Sequence, residues 1–152
     1  MFFNIKYRLI FICILGLDQM TKYFTERWLD PNYPKIIISH FLTFTKVHNY
    51  GSAYGLFQNQ RFFLICVGIL VIVGGIWFHK KIGITVYSRM GLICLLAGSF
   101  GNVLDRLYRG FVVDFIDIGL FPVFNIADMA IDIGVVCFIW EMWIHRDRHR
   151  PT

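Results

Sequence analysis

The sequence is poor in charge. Asp, Glu, Lys and Arg make up 16% of its 152 residues, against about 25% in an ordinary soluble domain. Its four cysteines, Cys13, Cys66, Cys94 and Cys137, fall one to each apolar segment. None has a neighbouring Cys or His at zinc-ligand spacing, and no loop contains one, which argues against both a thiolate metal site and disulfides. They are expected to be small packing residues. No serine and histidine are arranged as a catalytic triad would want, and Ser99 has no base in its own segment. His40 and His48 share a loop, but a two-histidine zinc site would lack its third ligand. Repeats, low-complexity tracts and flexible linkers are also missing, so residues 1–152 read as a single unit.

What the chain has in excess is apolar bulk: 57% hydrophobic residues, among them 16 phenylalanines. A small soluble core cannot hide so many, and a membrane protein is the consistent reading. The net charge of +5 does not suggest nucleic acid, because no basic, aromatic-interleaved soluble face is present. Four apolar segments of near-spanning length are expected at about 9–26, 61–79, 89–107 and 121–144. The fold class is therefore an all-α integral membrane protein with four transmembrane helices.

Lys6 and Arg8 precede the first segment, Lys80, Lys81 and Arg89 lie between the second and third, and Arg146, Arg148 and Arg150 follow the fourth. Four spans put all of these on one side, which the positive-inside rule makes the cytoplasm, with both termini inside. The N-terminus imitates a signal peptide, but Asp18-Gln19 stands where a small-x-small cleavage site would, so an uncleaved first span is expected. The outer loops are then 27–60 and 108–120. In the first of these, Ile36–Ile38 and Phe41–Val47 are rich in β-formers and suit strands at the membrane surface, a small extracytoplasmic β-rich element. A turn around Asn49, Gly51 and Gly55 follows.

The polar residues inside the apolar segments are few and not scattered. A carboxylate at the middle of a spanning helix costs roughly 2.5–3.5 kcal/mol on insertion scales, so such groups face a bundle interior or wet cavity and are functional by default. Lys22 lies one turn from Asp18 on the same face; it can pair with it and snorkel outward. That pair reads either as a structural ion pair or as part of a binding site. In the third segment Gly98, Asn102 and Arg106 follow at i, i+4, i+8, with Gly101 and Asp105 on an adjoining strip, as helix glue would. In the fourth, Asp128 is about one turn below the outer surface and Asp132 one turn deeper. Asp114 and Asp117 sit in the extended outer stretch GFVVDFIDIG. Asp18, Lys22, Asn49, Asn102, Arg106, Asp114, Asn125 and Asp128 can all converge on the outer leaflet boundary, which suggests a site reached from that face. Two carboxyls held close would share one proton, one acting as base towards water while the other polarises a carbonyl. A proton-coupled transporter and a noncatalytic assembly protein remain as rivals; the polar-free second segment argues against a transport path.

Five stretches carry a resemblance: Asp18-Gln-x-x-Lys22, Val47-His-Asn49-Tyr-Gly51-Ser-Ala53, Gly98-Ser-Phe-Gly101-Asn102-Val-Leu-Asp105-Arg106, Gly110-Phe-Val-Val-Asp114-Phe and Phe124-Asn125-Ile-Ala127-Asp128. In this order they resemble the bacterial lipoprotein signal peptidases (signal peptidase II) over nearly the whole chain. The resemblance implies an aspartyl endopeptidase of the bacterial cytoplasmic (inner) membrane whose active site faces the extracytoplasmic side. It implies Asp114 and Asp128 as the catalytic pair, with Asp18, Lys22, Asn49, Gly98, Asn102, Arg106, Asn125 and Ala127 shaping the site or touching substrate and inhibitor. It implies diacylglyceryl prolipoproteins as substrates, membrane lipids and globomycin-type inhibitors as partners, and no metal, cofactor, nucleic acid or obligate protein partner. Departures from the family pattern are Gly51-Ser52-Ala53-Tyr54 after Asn49, Ala97 before Gly98, and Met129 after Asp128; they leave the carboxylates intact. Asp132 lies outside the motif and is expected to be a hydrogen-bonding residue within the helix bundle. Asp105 and Asp117 carry no assigned role.

Overall fold

Each apolar run becomes a helix, and several of these helices run on through the charges that flank the run. The structure is a computed structural model describing residues 4–82 and 85–148. Along it lie α1 (Ile5–Trp28), β1 (Lys35–Ile38), β2 (Leu42–Asn49), a 3-10 turn (Ala53–Gly55), α2 (Arg61–Ile82), α3 (Val86–Tyr108), β3 (Val112–Asp117) and α4 (Ile126–Arg148). Thr85 opens α3 by accepting the Ser88 N–H at 3.1 Å. Gly110 closes it at φ 90°, its N–H reaching the Asp105 carbonyl at 3.2 Å; the left-handed conformation there favours a residue without a Cβ. At 1.5 Å per residue the four helices are each about 33–36 Å long. Among the described residues, two are apolar as well as long enough to cross a membrane, α2 over Arg61–Lys81 and α3 over Val86–Tyr108. Charged residues interrupt the other two, Asp18 and Lys22 in α1 and Asp128 and Asp132 in α4.

α3 is the pillar, with α1, α2 and α4 all packed on it. Small residues set the spacing. A Cβ on Gly91 would lie 2.9 Å from the Gly134 carbonyl oxygen, and one on Gly98 would strike the Ala127 carbonyl. These helices therefore touch backbone to backbone, as small residues allow. At one end Arg61, the first residue of α2, donates from Nε to the Arg106 carbonyl (2.6 Å) and from Nη2 to the Leu107 carbonyl (2.9 Å). It thereby satisfies carbonyls that the end of α3 leaves open. An antiparallel sheet of order β1-β2-β3 lies at the same end.

The β-rich loop expected at Ile36–Ile38 and Phe41–Val47 is thus present, and the stretch holding Asp114 is a strand paired with β2. The fourth helix starts five residues later than its apolar run. Phe124 is instead bridged to Ile116, accepting the Phe115 and Ile116 N–H groups at 3.0 and 2.9 Å. Phe124 is thus drawn to the sheet before Asn125 starts the helix. Of the cysteines, Cys94 is buried as expected, but Cys13 and Cys66 are exposed and so do not pack inside. Arg150 lies outside the described residues.

Candidate active site

Asp114 and Asp128 reach one place from different elements. Alternation along β3 puts Val113 and Phe115 on one side of the strand and Asp114 on the other, where its carboxyl is almost wholly buried. Asn49, at the end of the neighbouring β2, donates from Nδ2 to Asp114 Oδ2 at 2.9 Å. Its own Oδ1 accepts the Gly51 N–H at 2.9 Å, an Asx turn that fixes which end of the amide faces Asp114. Asn125 donates from Nδ2 to Asp114 Oδ1 at 2.6 Å.

Asn125 also starts α4. Its Oδ1 accepts the Asp128 N–H (2.9 Å), while Asp128 Oδ2 accepts the Asn125 N–H (3.3 Å). This is the reciprocal arrangement of a capping box, with Asp in the place usually held by Glu. Asp128 Oδ1 accepts Asn102 Nδ2 at 2.7 Å. The two aspartates therefore make no direct hydrogen bond with one another; Asn125 touches both. Burial pushes the Asp114 carboxyl up to about 7, with the negative charge of Asp128 adding to the effect and the Asn49 and Asn125 donors opposing it.

Behind this pair lies a second layer of charge. Lys22 Nζ sits 3.0 Å from Asp18 Oδ2, 2.9 Å from Asp105 Oδ2 and 3.0 Å from Asn102 Oδ1. Its side chain is 0% exposed, so Lys22 does not snorkel outward as expected. Two carboxylates and an amide oxygen hold its ammonium inside, which a lone buried cation could not tolerate. Asp18 Oδ1 in turn accepts the Ala127 N–H at 2.9 Å, an anion at the N-terminus of α4. Gly101 is what lets it in, since a Cβ there would lie 2.5 Å from Asp18 Oδ2. Gly98 and Ala127 meet one turn away and bring α3 and α4 together. Arg106 is turned towards the loop, donating from Nη2 to the Gly51 carbonyl (2.7 Å) and from Nη1 to the Asn102 carbonyl (3.4 Å). It orients backbone, and no hydrogen bond joins it to either aspartate among the described residues.

The model of the family described as Signal peptidase (SPase) II matches residues 10–144. The chain belongs to that family. A lipoprotein signal peptidase of Moorella thermoacetica is 36% identical over 135 residues, spanning 88% of this chain and 90% of the relative. One from Caldanaerobacter subterraneus subsp. tengcongensis is 39% identical over 126 residues, 81% of this chain and 86% of its own. Among solved structures, a bacterial membrane enzyme determined by the in meso method at 2.3 Å resolution superposes with a TM-score of 0.93 at 29% identity, covering 99% of this chain and 95% of that one. A second, at 1.9 Å resolution, gives a TM-score of 0.85 at 32% identity over 93% and 94%.

Every residue that the signal peptidase II pattern singles out is thus gathered at one end of the bundle, either touching a carboxylate or packing the elements that carry them. Asp132 is not. It is exposed on α4 and makes no hydrogen bond among the described residues, which overturns its expected role inside the bundle. The strip of α4 that packs on α3 runs through Ala127, Ile131 and Gly134, and Asp132 lies off it, so only Asp128 reaches Asn102. Asp117 accepts the Gly119 N–H at 2.8 Å and closes a turn.

Sequence reasoning left Asp105, Gln19 and Arg109 without a role. Asp105 is 1% exposed and holds Lys22, Arg109 and, at 3.4 Å, the N–H of Val113 beside Asp114. Gln19 Nε2 reaches Asp18 Oδ2 at 3.0 Å and Asp105 Oδ1 at 3.3 Å. The Asp105/Arg109 spacing of four was a signal for the ion pair. The inward turn of both was not readable from one helix.

Proposed function

We propose that this protein is an aspartic-type endopeptidase that cleaves diacylglyceryl-modified prolipoproteins just before the lipidated cysteine, using water activated between Asp114 and Asp128. Membership of the signal peptidase II family supports the removal of signal peptides from lipoproteins, and its solved relatives support a bacterial membrane enzyme. The observation that carries the finer reading is the pair of carboxylates on β3 and α4, each held by asparagine amides and joined through Asn125.

In the reaction one carboxylate takes a proton from water while the water oxygen attacks the carbonyl carbon of the scissile peptide. The other, protonated, carboxyl hydrogen-bonds to the developing oxyanion, as the raised Asp114 suits it to do. The tetrahedral intermediate collapses with breakage of the C–N bond, and the amine leaves with a proton from a carboxyl. The pair titrates as a unit, since each charge acts on the other. No metal or cofactor enters these steps. Asp18, Lys22, Asn49, Gly98, Asn102, Arg106, Asn125 and Ala127 position the pair or the backbone around it.

In this reading all four helices span the inner membrane as one domain, with both termini cytoplasmic and the site at the outer surface. Acyl chains and signal helix lie against the apolar faces between helices, and globomycin-type inhibitors compete for the same place. No obligate protein partner is needed. Polar groups of the site gather at one end of the bundle, as a peptidase meeting its substrate at the boundary requires and a transport path does not.

A gel-shift assay on a diacylated model prolipoprotein tests the proposal. Purified wild-type protein should cleave it, and globomycin should stop cleavage. Asp114→Asn and Asp128→Asn should each lower kcat by at least about 10³ while remaining folded and monodisperse. Wild-type rates from either variant would rule the assignment out.

A further inference from the structure

Asn102 lies between a cation and an anion. Lys22 Nζ stands 3.0 Å from its Oδ1, and its Nδ2 stands 2.7 Å from Asp128 Oδ1. An ammonium has three donors and no acceptor, so only the oxygen end of the amide can face it. The Asn125 amide meets the same oxygen from the other side at 3.4 Å. Asn102 is therefore held one way round, its NH₂ towards Asp128. The two amides that serve Asp114 lack such a backing, since Asn49 is fixed by the Gly51 N–H and Asn125 by the Asp128 N–H, both neutral donors.

We propose that Lys22 is a positioning residue that acts through Asn102, its buried charge fixing and polarising the amide that donates to Asp128. Asp18 and Asp105 hold the ammonium in place from two sides, and Gln19 bridges those two carboxylates. The four groups form a lock behind the site, and among the described residues none of them hydrogen-bonds to the carboxyl of Asp114 or Asp128. This inference rests on Asp128 being catalytic. It goes beyond that reading by assigning the lysine a route of action rather than a place in the bundle. Hydrogen-bond chains running from a buried charge polarise each member in turn, so losing the ammonium should weaken a bond it does not itself make.

A double-mutant cycle reads this directly. Lys22→Met and Asn102→Ala are assayed alone and together on the diacylated substrate, with kcat and KM separated. Lys22→Met should lower kcat by about 10² with KM within about twofold. In the Asn102→Ala background, Lys22→Met should cost less than about twofold more, because the route is already cut. Losses that multiply, or a Lys22→Met with wild-type kcat, would overturn the relay, since a purely structural lysine predicts independent effects. Lys22→Met takes the cation from Asp18, whereas Asp105 keeps Arg109. If it fails to fold, the cycle is run in an Asp18→Asn background, where the uncompensated carboxylate is gone and the same criterion applies. Asp128→Asn is the control: activity there defeats the proposed function, whereas its loss together with multiplicative effects defeats the relay alone.

Discussion

α2 and α3 have nearly the same length and are the two helices apolar enough to cross a membrane, yet they do opposite things. Among the helices α2 packs chiefly on α3, and of its described residues only Ile65 and Gly75 are buried. α3 is gripped on three sides and buries Leu92, Ile93, Ala97, Ser99, Asn102 and Asp105. The more apolar helix is the outer one. Hydrophobicity reports the environment a helix face meets, whereas centrality depends on small residues that let neighbours approach. The buried polar groups of α3 are tolerated because partners on α1, β3 and α4 satisfy them.

The largest test of that contrast is Gly98→Val. A side chain there meets the Ala127 carbonyl and Ile131 of α4 rather than a flexible tip. Overpacking against backbone should cost about 3 kcal/mol. It should also abolish processing, because the turn it displaces carries Asp128. Thermal unfolding in detergent and the gel-shift assay measure the two effects. A Gly98→Val protein of wild-type stability and activity would show that α3 is not the pillar described.

A smaller effect comes from titration, since polar burial is what separates the α3 side of the molecule from α2. The Asp114 carboxyl, held against this side by β3, is raised from 3.8 to about 7. A folded state that keeps its proton longer than the unfolded chain gains stability where that proton is bound. The gain is complete below about pH 4 and is lost as pH rises through about 7. The wild-type unfolding midpoint should therefore fall between pH 4 and 7 from this group, and Asp114→Asn should flatten that slope. Activity should show an alkaline limb near pH 7 as the pair loses its last proton. A kcat/KM profile level from pH 6 to 9 would refute this.

Much of this site was legible because its residues obey local rules. The alternation of Val112–Asp117 gave an extended stretch, and the i,i+4 spacing of Asp18 and Lys22 gave a candidate ion pair. What was not legible depends on rotation and depth between elements. A lysine on an apolar helix is free to snorkel as far as its own segment shows, and only Asp105 and Asn102 on α3 turn it inward. The delayed start of α4 was hidden for the same reason, because Phe124 is captured by Ile116, a strand partner outside its own run. The motif and its depth set Asp128 apart from Asp132 in sequence, but the outward turn of Asp132 shows only once α4 is packed on α3.

Asp132→Asn is the smallest expected effect, and it asks whether the outward face of α4 behaves like α3 or like α2. Asp132 is exposed and makes no hydrogen bond among the described residues, so removing its charge disrupts no partner. Surface substitutions away from caps and networks usually stay within about 0.5 kcal/mol. The unfolding midpoint should barely move, and the processing rate should remain within about twofold of wild type. Placed one turn before it, Asp128→Asn leaves one acceptor oxygen where Asn102 Nδ2 and the Asn125 N–H use two, and should be lost to catalysis. A loss at Asp132 comparable with that at Asp128 would mean that the working face of α4 extends a full turn deeper than its hydrogen bonds to α3, and the contrast between buried and exposed faces would no longer mark the limit of the site.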